Sequence, residues 1–281
     1  MEIVIDELKE TRARLHLKET TPSQVNAIRR TLLSDVPKLA IEGVEFHLGP
    51  IRDETTGRDF DSSTSLFDEA IALRLGLLPI RTDLKQFRFR EECSCKGEGC
   101  PNCQVMYSID KKGPCTVYSR DVVPLGDPSL AIKDPDIPVV RLGARQALLA
   151  YATAILGTSR THAKWQVAQA AGYTYQPKVT VTRGKDCSEA CLKKVPKVCP
   201  TDVFEFSGGK LNVVRPDDCI LCRACEDACP HGTIRVESDP TQFLFHFDTD
   251  GSLTARESLR FALGDLKRRF EELRDAVLAI P

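Results

Sequence analysis

Apolar and polar residues alternate over Ile3 to Leu8 and again over Arg12 to Lys18, where Ala13, Leu15 and Leu17 share one face and Arg12, Arg14, His16 and Lys18 the other. This period of two predicts a half-buried hairpin. Thr21, Pro22 and Gln24 then supply a cap, a proline at the first helical position and an amide three residues after the cap, and Val25, Ile28 and Leu32 continue as an apolar stripe. Pro37 ends the predicted helix. From Lys38 to about Tyr175 the pattern is broken by Pro and Gly around strand-like pieces such as Ala40 to Leu48 and Gln104 to Asp110, which reads as a mixed, loop-rich module. Phe243 to Phe247 alternates again, Asp248 to Gly251 turns, and Thr254 with Glu257 caps a long last helix. In that helix Leu259, Leu263, Leu266, Phe270, Leu273, Val277 and Ile280 recur at alternating steps of four and three, the seam of a helix that pairs with another helix. At ~1.5 Å per residue the stretch from Thr254 would run about 40 Å, too long to bury its seam on one small sheet.

Between these ends the run Cys219-x2-Cys222-x2-Cys225-x3-Cys229-Pro230 has the spacing with which bacterial-type ferredoxins hold iron–sulfur clusters. Three thiolates three residues apart grip one cube, while the fourth, followed by a Pro that turns the chain, reaches a different one. Cys219, Cys222 and Cys225 therefore need a fourth ligand from another Cys-Pro pair. Cys199-Pro200 supplies it, and these four cysteines form the expected 4Fe-4S set. The segments that follow each pair, Thr201 to Phe206 and His231 to Val236, are strand-like and predict a pseudo-twofold ferredoxin repeat over about Arg183 to Val236. The upstream half departs from the repeat, because the expected ligand positions hold Glu189, Leu192 and Val195. Cys187 and Cys191 are out of register. With Cys229 they offer three thiolates for a second centre, a 3Fe-4S cluster or a 4Fe-4S cluster with one non-cysteine ligand. A Cys187–Cys191 disulfide and free buried thiols are the alternatives.

Cys93-x-Cys95-x4-Cys100-x2-Cys103, with Gly97, Gly99 and Pro101 making tight turns, is a four-thiolate constellation suited to tetrahedral zinc, against a surface loop with vacant or oxidised thiols. Filled by zinc, such a site is structural, since four sulfurs leave no position for a substrate. Cys115 stands apart as a packed thiol. Asp59-Phe60-Asp61 reads as a solvated pair of carboxylates, and His162, Lys164 and the single Trp165 as packing around that ring. The sequence shows no Gly-rich phosphate loop, no nucleophile-with-base spacing and no carboxylate set for a divalent metal.

The 281 residues are 42% apolar and 28% charged, enough for a core and two or three modules of a globular protein. Thirty-nine basic and 40 acidic side chains leave a formal charge of −1, so no overall field draws the chain to nucleic acid or to an anionic membrane, and contact with DNA is expected only indirectly. Met1 is followed at once by a charged, alternating stretch, and no apolar run approaches the ~20 residues of a membrane span, so a cytoplasmic chain without a signal peptide is expected. In a reducing cytoplasm the 12 cysteines are better read as metal ligands than as a disulfide framework.

The segment Asn26 to Pro37, reading N-A-I-R-R-T-L-L-S-D-V-P, resembles the alpha-motif of the alpha-like subunits of RNA polymerases. Phe67 to Ile80, with Arg74, Gly76 and Pro79, and the group His162, Ala163, Lys164 and Trp165 are similar to segments of the archaeal D-type members of that family and of the third-largest subunit of eukaryotic RNA polymerase II. A ferredoxin insertion occurs in a subset of the archaeal members, so the resemblance extends over nearly the whole chain. It implies an α+β fold. Residues 1–39, 176–182 and 237–281 would make a discontinuous alpha-like dimerisation domain, carrying an inserted mixed α/β domain (40–175) with the Cys-rich loop 93–103 and an inserted ferredoxin-like domain (183–236).

The resemblance further implies a non-catalytic assembly subunit of archaeal DNA-directed RNA polymerase that pairs with the small subunit L and contacts subunits N and P and the large B subunit. The seam of Leu259, Leu263, Leu266, Phe270, Leu273 and Val277 is then the candidate for the contact with L, and Asn26, Arg29 and Arg30 belong to the assembly surface, where the residues alone would read Arg29-Arg30 as a solvated basic face. The polymerising chemistry is expected in other subunits. The iron–sulfur module would stabilise its own fold, and its oxidation would regulate assembly. The rival reading is a ferredoxin-type electron-transfer protein, which would benefit from two complete clusters where the second set here is one cysteine short.

Overall fold

The computed structural model describes residues 1–53, 57–182, 188–229 and 232–280. From the amino end come strands β1 (Glu2–Leu8) and β2 (Arg12–Lys18), helix α1 (Pro22–Ser34) and strand β3 (Lys38–Phe46). The short strands β4 (Pro50–Arg52) and β5 (Asp59–Asp61) precede helix α2 (Asp68–Gly76). Strands β6 (Gln104–Lys112), β7 (Cys115–Tyr118), β8 (Val123–Pro124), β9 (Pro138–Leu142), β10 (Ala147–Gly157) and β11 (Ala168–Val181) follow. Then come α3 (Glu189–Leu192), α4 (Val195–Val198), β12 (Phe204–Ser207), β13 (Lys210–Val213), α5 (Ala224–Ala228), β14 (Ile234–Thr249) and α6 (Ala255–Leu278).

The chain divides into two compact units that alternate along the sequence: Met1–Leu8, Ala13–Ala27 and Ala171–His246 form the first, and Lys9–Arg12, Ile28–Ala170 and Phe247–Pro281 the second. The first unit holds most of a four-stranded sheet in the order β1-β2-β14-β11. β1 and β2 pair antiparallel, Ile3 opposite Leu17 and Ile5 opposite Leu15, and the alternation buries Ala13, Leu15 and Leu17 as expected. Phe243 and Phe245 are buried from β14, with the Tyr173 and Tyr175 rings 5.8 and 5.0 Å from that of Phe243. The capping box of α1 forms: Thr21 N–H donates to Gln24 Oε1 at 3.1 Å, and Gln24 N–H to Thr21 Oγ1 at 3.4 Å.

Farther along, β11 and β14 come together again where Thr182 N–H donates to the Thr233 carbonyl at 2.7 Å, and the intervening chain supplies α3, α4, β12, β13 and α5. The order along this stretch is strand, two short helices, a strand hairpin, a helix and a strand. β12 and β13 meet across Gly208-Gly209, both at positive φ (58° and 77°), as the two-residue hairpin turn demands. Leu192, Val195, Val203, Phe204, Leu211, Ile234 and Val236 close a small core with Cys225 and Cys229.

Two strands differ in extent from the sequence expectation by more than two residues. The strand expected from Thr201 begins only at Phe204, because Asp202 takes a left-handed φ of 50° and residues 201–203 turn back toward Cys199. The pieces expected at 231–236 and 243–247 are one strand of 16 residues, since Pro240 fixes a φ that an extended chain tolerates; Pro230 and His231 lie outside the described residues. The junctions expected at 175/176 and 236/237 fall within β11 and β14.

The second unit is built on a sheet in the order β3-β10-β6-β8. β10 runs antiparallel to both neighbours, with Ala152 opposite Val44 on one side and Tyr107 on the other. Leu148, Ala150, Ala152, Ala154 and Leu156 from β10 and Val105, Tyr107 and Ile109 from β6 face a core that Leu39, Ile41, Ile71 and Leu75 complete. This module is more regular than the loop-rich reading. β10 escaped it because its inward positions are largely alanines, whose weak hydrophobicity hides the alternation. Tyr107 is fully buried and its hydroxyl donates to the Leu130 carbonyl at 2.8 Å; burial pushes the phenol pKa upward.

Candidate metal centres and assembly face

The loop after Phe89 is shaped by three left-handed residues, Lys96, Gly97 and Gly99, and by amide bonds from Lys96 to the Cys93 carbonyl (2.9 Å) and from Cys103 to the Cys100 carbonyl (2.9 Å). Arg90 Nε ties the Gly97 carbonyl at 2.9 Å. As a result the sulfurs of Cys93, Cys95, Cys100 and Cys103 all lie within 4.8 Å of one another, with Cys93–Cys100 and Cys95–Cys103 at 3.5 Å and Cys100–Cys103 at 3.8 Å. A tetrahedron with metal–sulfur bonds of ~2.3 Å has edges of about 3.8 Å, so the thiol cage fits zinc. Amide donation from Gly99 outweighs burial and holds Cys95 down at about 6, whereas burial pushes Cys103 up to about 12. Four thiols this close resist full ionisation unless a cation compensates them, which is the electrostatic case for a metal here.

Among the described residues the Cys93 tetrad is the set close enough for a single ion. The ferredoxin-type cysteines converge differently. Leu221 and Arg223 take left-handed φ of 58° and 60° and wrap the chain so that amides point at sulfur, from Leu221 to Cys219 and from Glu226 to Cys225. Burial, with the neighbouring Cys222 and Cys199 sulfurs, raises Cys219; burial, with Cys219 and Cys222, raises Cys225 to about 11. Cys219 thus lies near enough to Cys199 and Cys222, and Cys225 to Cys219 and Cys222, for their charges to interact. Of the second set, Cys229 is buried and Cys191 Sγ donates to the Ala228 carbonyl at 3.4 Å, while Cys187 lies outside the described residues.

The last helix begins with the expected box, Thr254 N–H to Glu257 Oε2 at 3.0 Å and Glu257 N–H to Thr254 Oγ1 at 3.2 Å. Its buried residues are Ala255, Ser258, Ala262 and Asp265, one position ahead of the seam. Leu259, Leu263 and Leu266 are half-buried beside that small-residue face. Phe270, Leu273 and Val277 are exposed by 64%, 59% and 56%, so the apolar seam is uncovered over the second half of the helix. Ile280, counted into the seam from sequence, falls beyond the helix end at Leu278. On α1, Asn26 and Arg29 are half-buried and Arg30 is exposed.

Sequence reasoning missed the ion-pair group that anchors α6. Asp35, just past α1 and 5% exposed, pairs with Arg160 and with Arg269 Nη2 (3.0 Å), and Arg269 also meets Asp265 at 2.7 Å. The signal was available in Asp265, a carboxylate in register with Ala255, Ser258 and Ala262. Trp165 behaves as expected: it is 4% exposed, its Nε1–H donates to the Ile155 carbonyl at 3.2 Å, and Lys164 Nζ stands 4.3 Å from the ring centroid. Asp59 and Asp61 are exposed on β5.

An interleaved α+β chain with a thiol cage and an uncovered helical seam is a chain built to offer an apolar face to a partner. A profile of the RNA polymerase Rpb3/Rpb11 dimerisation domain matches residues 14–270, and the chain belongs to this family. It is 45% identical to the DNA-directed RNA polymerase subunit Rpo3 of Thermoplasma volcanium, over 96% of this chain and 97% of that one. The Rpo3 subunits of Picrophilus torridus and Methanosarcina acetivorans are 42% and 34% identical, each over 97% of this chain and over 98% and 97% of their own lengths. Among the described residues no helix is long and apolar enough to cross a membrane.

Proposed function

We infer that this chain is a non-catalytic assembly subunit of an archaeal DNA-directed RNA polymerase, pairing with a smaller Rpb11-like subunit of the L type. The observation that carries this is the bare seam of Phe270, Leu273 and Val277 on a helix otherwise well anchored. An apolar stripe at heptad spacing left in water is offset when a second helix covers it. Asn26, Arg29 and Arg30 on α1 would extend the assembly surface toward the large B subunit, with subunits N and P at other faces and DNA reached only through the complex.

Cys93, Cys95, Cys100 and Cys103 would hold zinc as a closed structural site. Cys199, Cys219, Cys222 and Cys225 would hold a 4Fe-4S cluster, with Cys191, Cys229 and Cys187 left for a second centre. Bound there, the cluster supplies iron–thiolate ties that fasten α5 and the Cys199 turn together, and a one-electron redox centre. Its oxidation would loosen the module and lower assembly. The test is co-expression with the L-type subunit followed by size exclusion and capture of the large B subunit. A chain that stays alone, with no other polymerase component attached, rejects the assembly reading; reversible reduction by a cellular donor without polymerase association would favour electron transfer instead.

A further inference from the structure

The Cys199 sulfur sits in a donor cradle made by the four residues that follow it. Asp202 takes a left-handed conformation (φ 50°), unfavourable for a residue with a Cβ, and so brings Val203 back over the sulfur. Val203 N–H donates to Cys199 Sγ at 3.4 Å, and Thr201 Oγ1 lies 3.8 Å from the same atom. Arg215 locks the turn from outside. Its Nε and Nη2 donate to the Asp202 carbonyl at 3.2 and 3.0 Å, and Nη2 is 3.5 Å from the Asp202 carboxylate. The Val203 carbonyl in turn accepts from the Val214 and Arg215 amides at 2.9 and 3.3 Å. Val203 is fully buried, which keeps water from competing for its amide.

A thiolate is only an acceptor, so against a metal-bound Cys199 the Thr201 hydroxyl must be the donor. Hydrogen bonds to a ligating sulfur withdraw charge from the centre, and they strengthen when an electron is added. We propose that Thr201, on the turn clamped by Arg215, is a positioning residue for the iron–sulfur centre, its hydroxyl and the Val203 amide together raising the reduction potential by stabilising the more negative state. This rests on the reading of Cys199 as a cluster ligand. The Cys219 and Cys225 sulfurs take amide donors, which substitution cannot remove, whereas the hydroxyl can be deleted alone.

The experiment is an EPR-monitored redox titration of the full-length chain isolated anaerobically, comparing Thr201→Val, Thr201→Ala and Thr201→Ser, with iron and sulfide measured on each. Expected is a midpoint shifted to more negative potential in the valine and alanine variants and restored toward wild type by serine. Loss of iron and sulfide from both hydroxyl-free variants but not from serine would also support the role, because ligation by Cys199 would then need the hydroxyl. A full cluster at the wild-type midpoint in either hydroxyl-free variant overturns the proposal. A wild-type chain without iron and sulfide overturns the parent cluster reading, and this one falls with it.

Discussion

Arg269, midway along α6, reaches Asp35 beyond the end of α1, with Nη2 and Oδ2 3.0 Å apart. Burial alone would raise the Asp35 carboxyl, but hydrogen bonds from Arg160 and Ser34 and the charges of Arg269 and Arg160 outweigh it and hold the group below the usual carboxylate range. A depressed folded pKa means stability that is present above the unfolded value of about 4 and lost as the pH falls through the folded value. Because the two guanidiniums are 62% and 40% exposed and partly screened, Asp35→Asn is expected to cost only about 1 kcal/mol at neutral pH. Urea unfolding from pH 6 to pH 3 checks this: the gap between wild type and variant should close toward acid, and a constant gap would contradict the assignment.

Phe270→Glu with Leu273→Glu separates folding from assembly. Both side chains are well over half exposed, so the isolated chain should unfold within about 0.5 kcal/mol of wild type. Pairing with the L-type subunit should weaken by at least ~30-fold, the cost of removing a central apolar anchor. Isothermal titration together with thermal melts of the free chain measures both quantities.

Metal removal should expose the role of the cysteine cage. Cys103→Ser replaces the most buried of its four sulfurs and is expected to abolish bound zinc, measured by elemental analysis, and to lower the melting temperature as strongly as chelation lowers that of wild type. Zinc affinity should fall as the pH drops, because the thiols must lose protons to ligate. Affinity that is flat between pH 8 and pH 5 would argue for another ligand set.

Gly157→Ala tests the packing of the only tryptophan. A Cβ at that position would stand 2.4 Å from the Trp165 ring, a contact that only movement of the ring or of β10 can relieve. Overpacking of this kind costs about 1–3 kcal/mol. The variant should melt earlier and show red-shifted Trp165 fluorescence, and an unchanged emission maximum would mean that the ring is held differently.

Much of this architecture is legible in the chain because local rules and final packing agree. Thr21 with Gln24 and Thr254 with Glu257 cap the helices they announce, and Ala13, Leu15 and Leu17 bury the face their alternation selects. The Cys93 loop is legible for the same reason, since its spacing and glycines specify a turn almost independently of what surrounds it. β10 was not, because alanine carries little hydrophobic contrast, and neither was the unbroken β14, because a polar stretch around Pro240 stays extended only when neighbouring strands hold it.

The amino-acid order by itself determined the capped helices, the hairpin, the cysteine spacings and the heptad seam, all of which depend on residues a few positions apart. Tertiary structure alone decided which face of α6 is spent inside and which remains open. Ala255, Ser258, Ala262 and Asp265 are buried rather than the larger apolar residues beside them, because small side chains allow close approach and the guanidiniums of Arg268 and Arg269 neutralise the buried Asp265 carboxylate. Contacts between residues more than 200 positions apart make that choice, and they leave Phe270, Leu273 and Val277 uncovered for a partner.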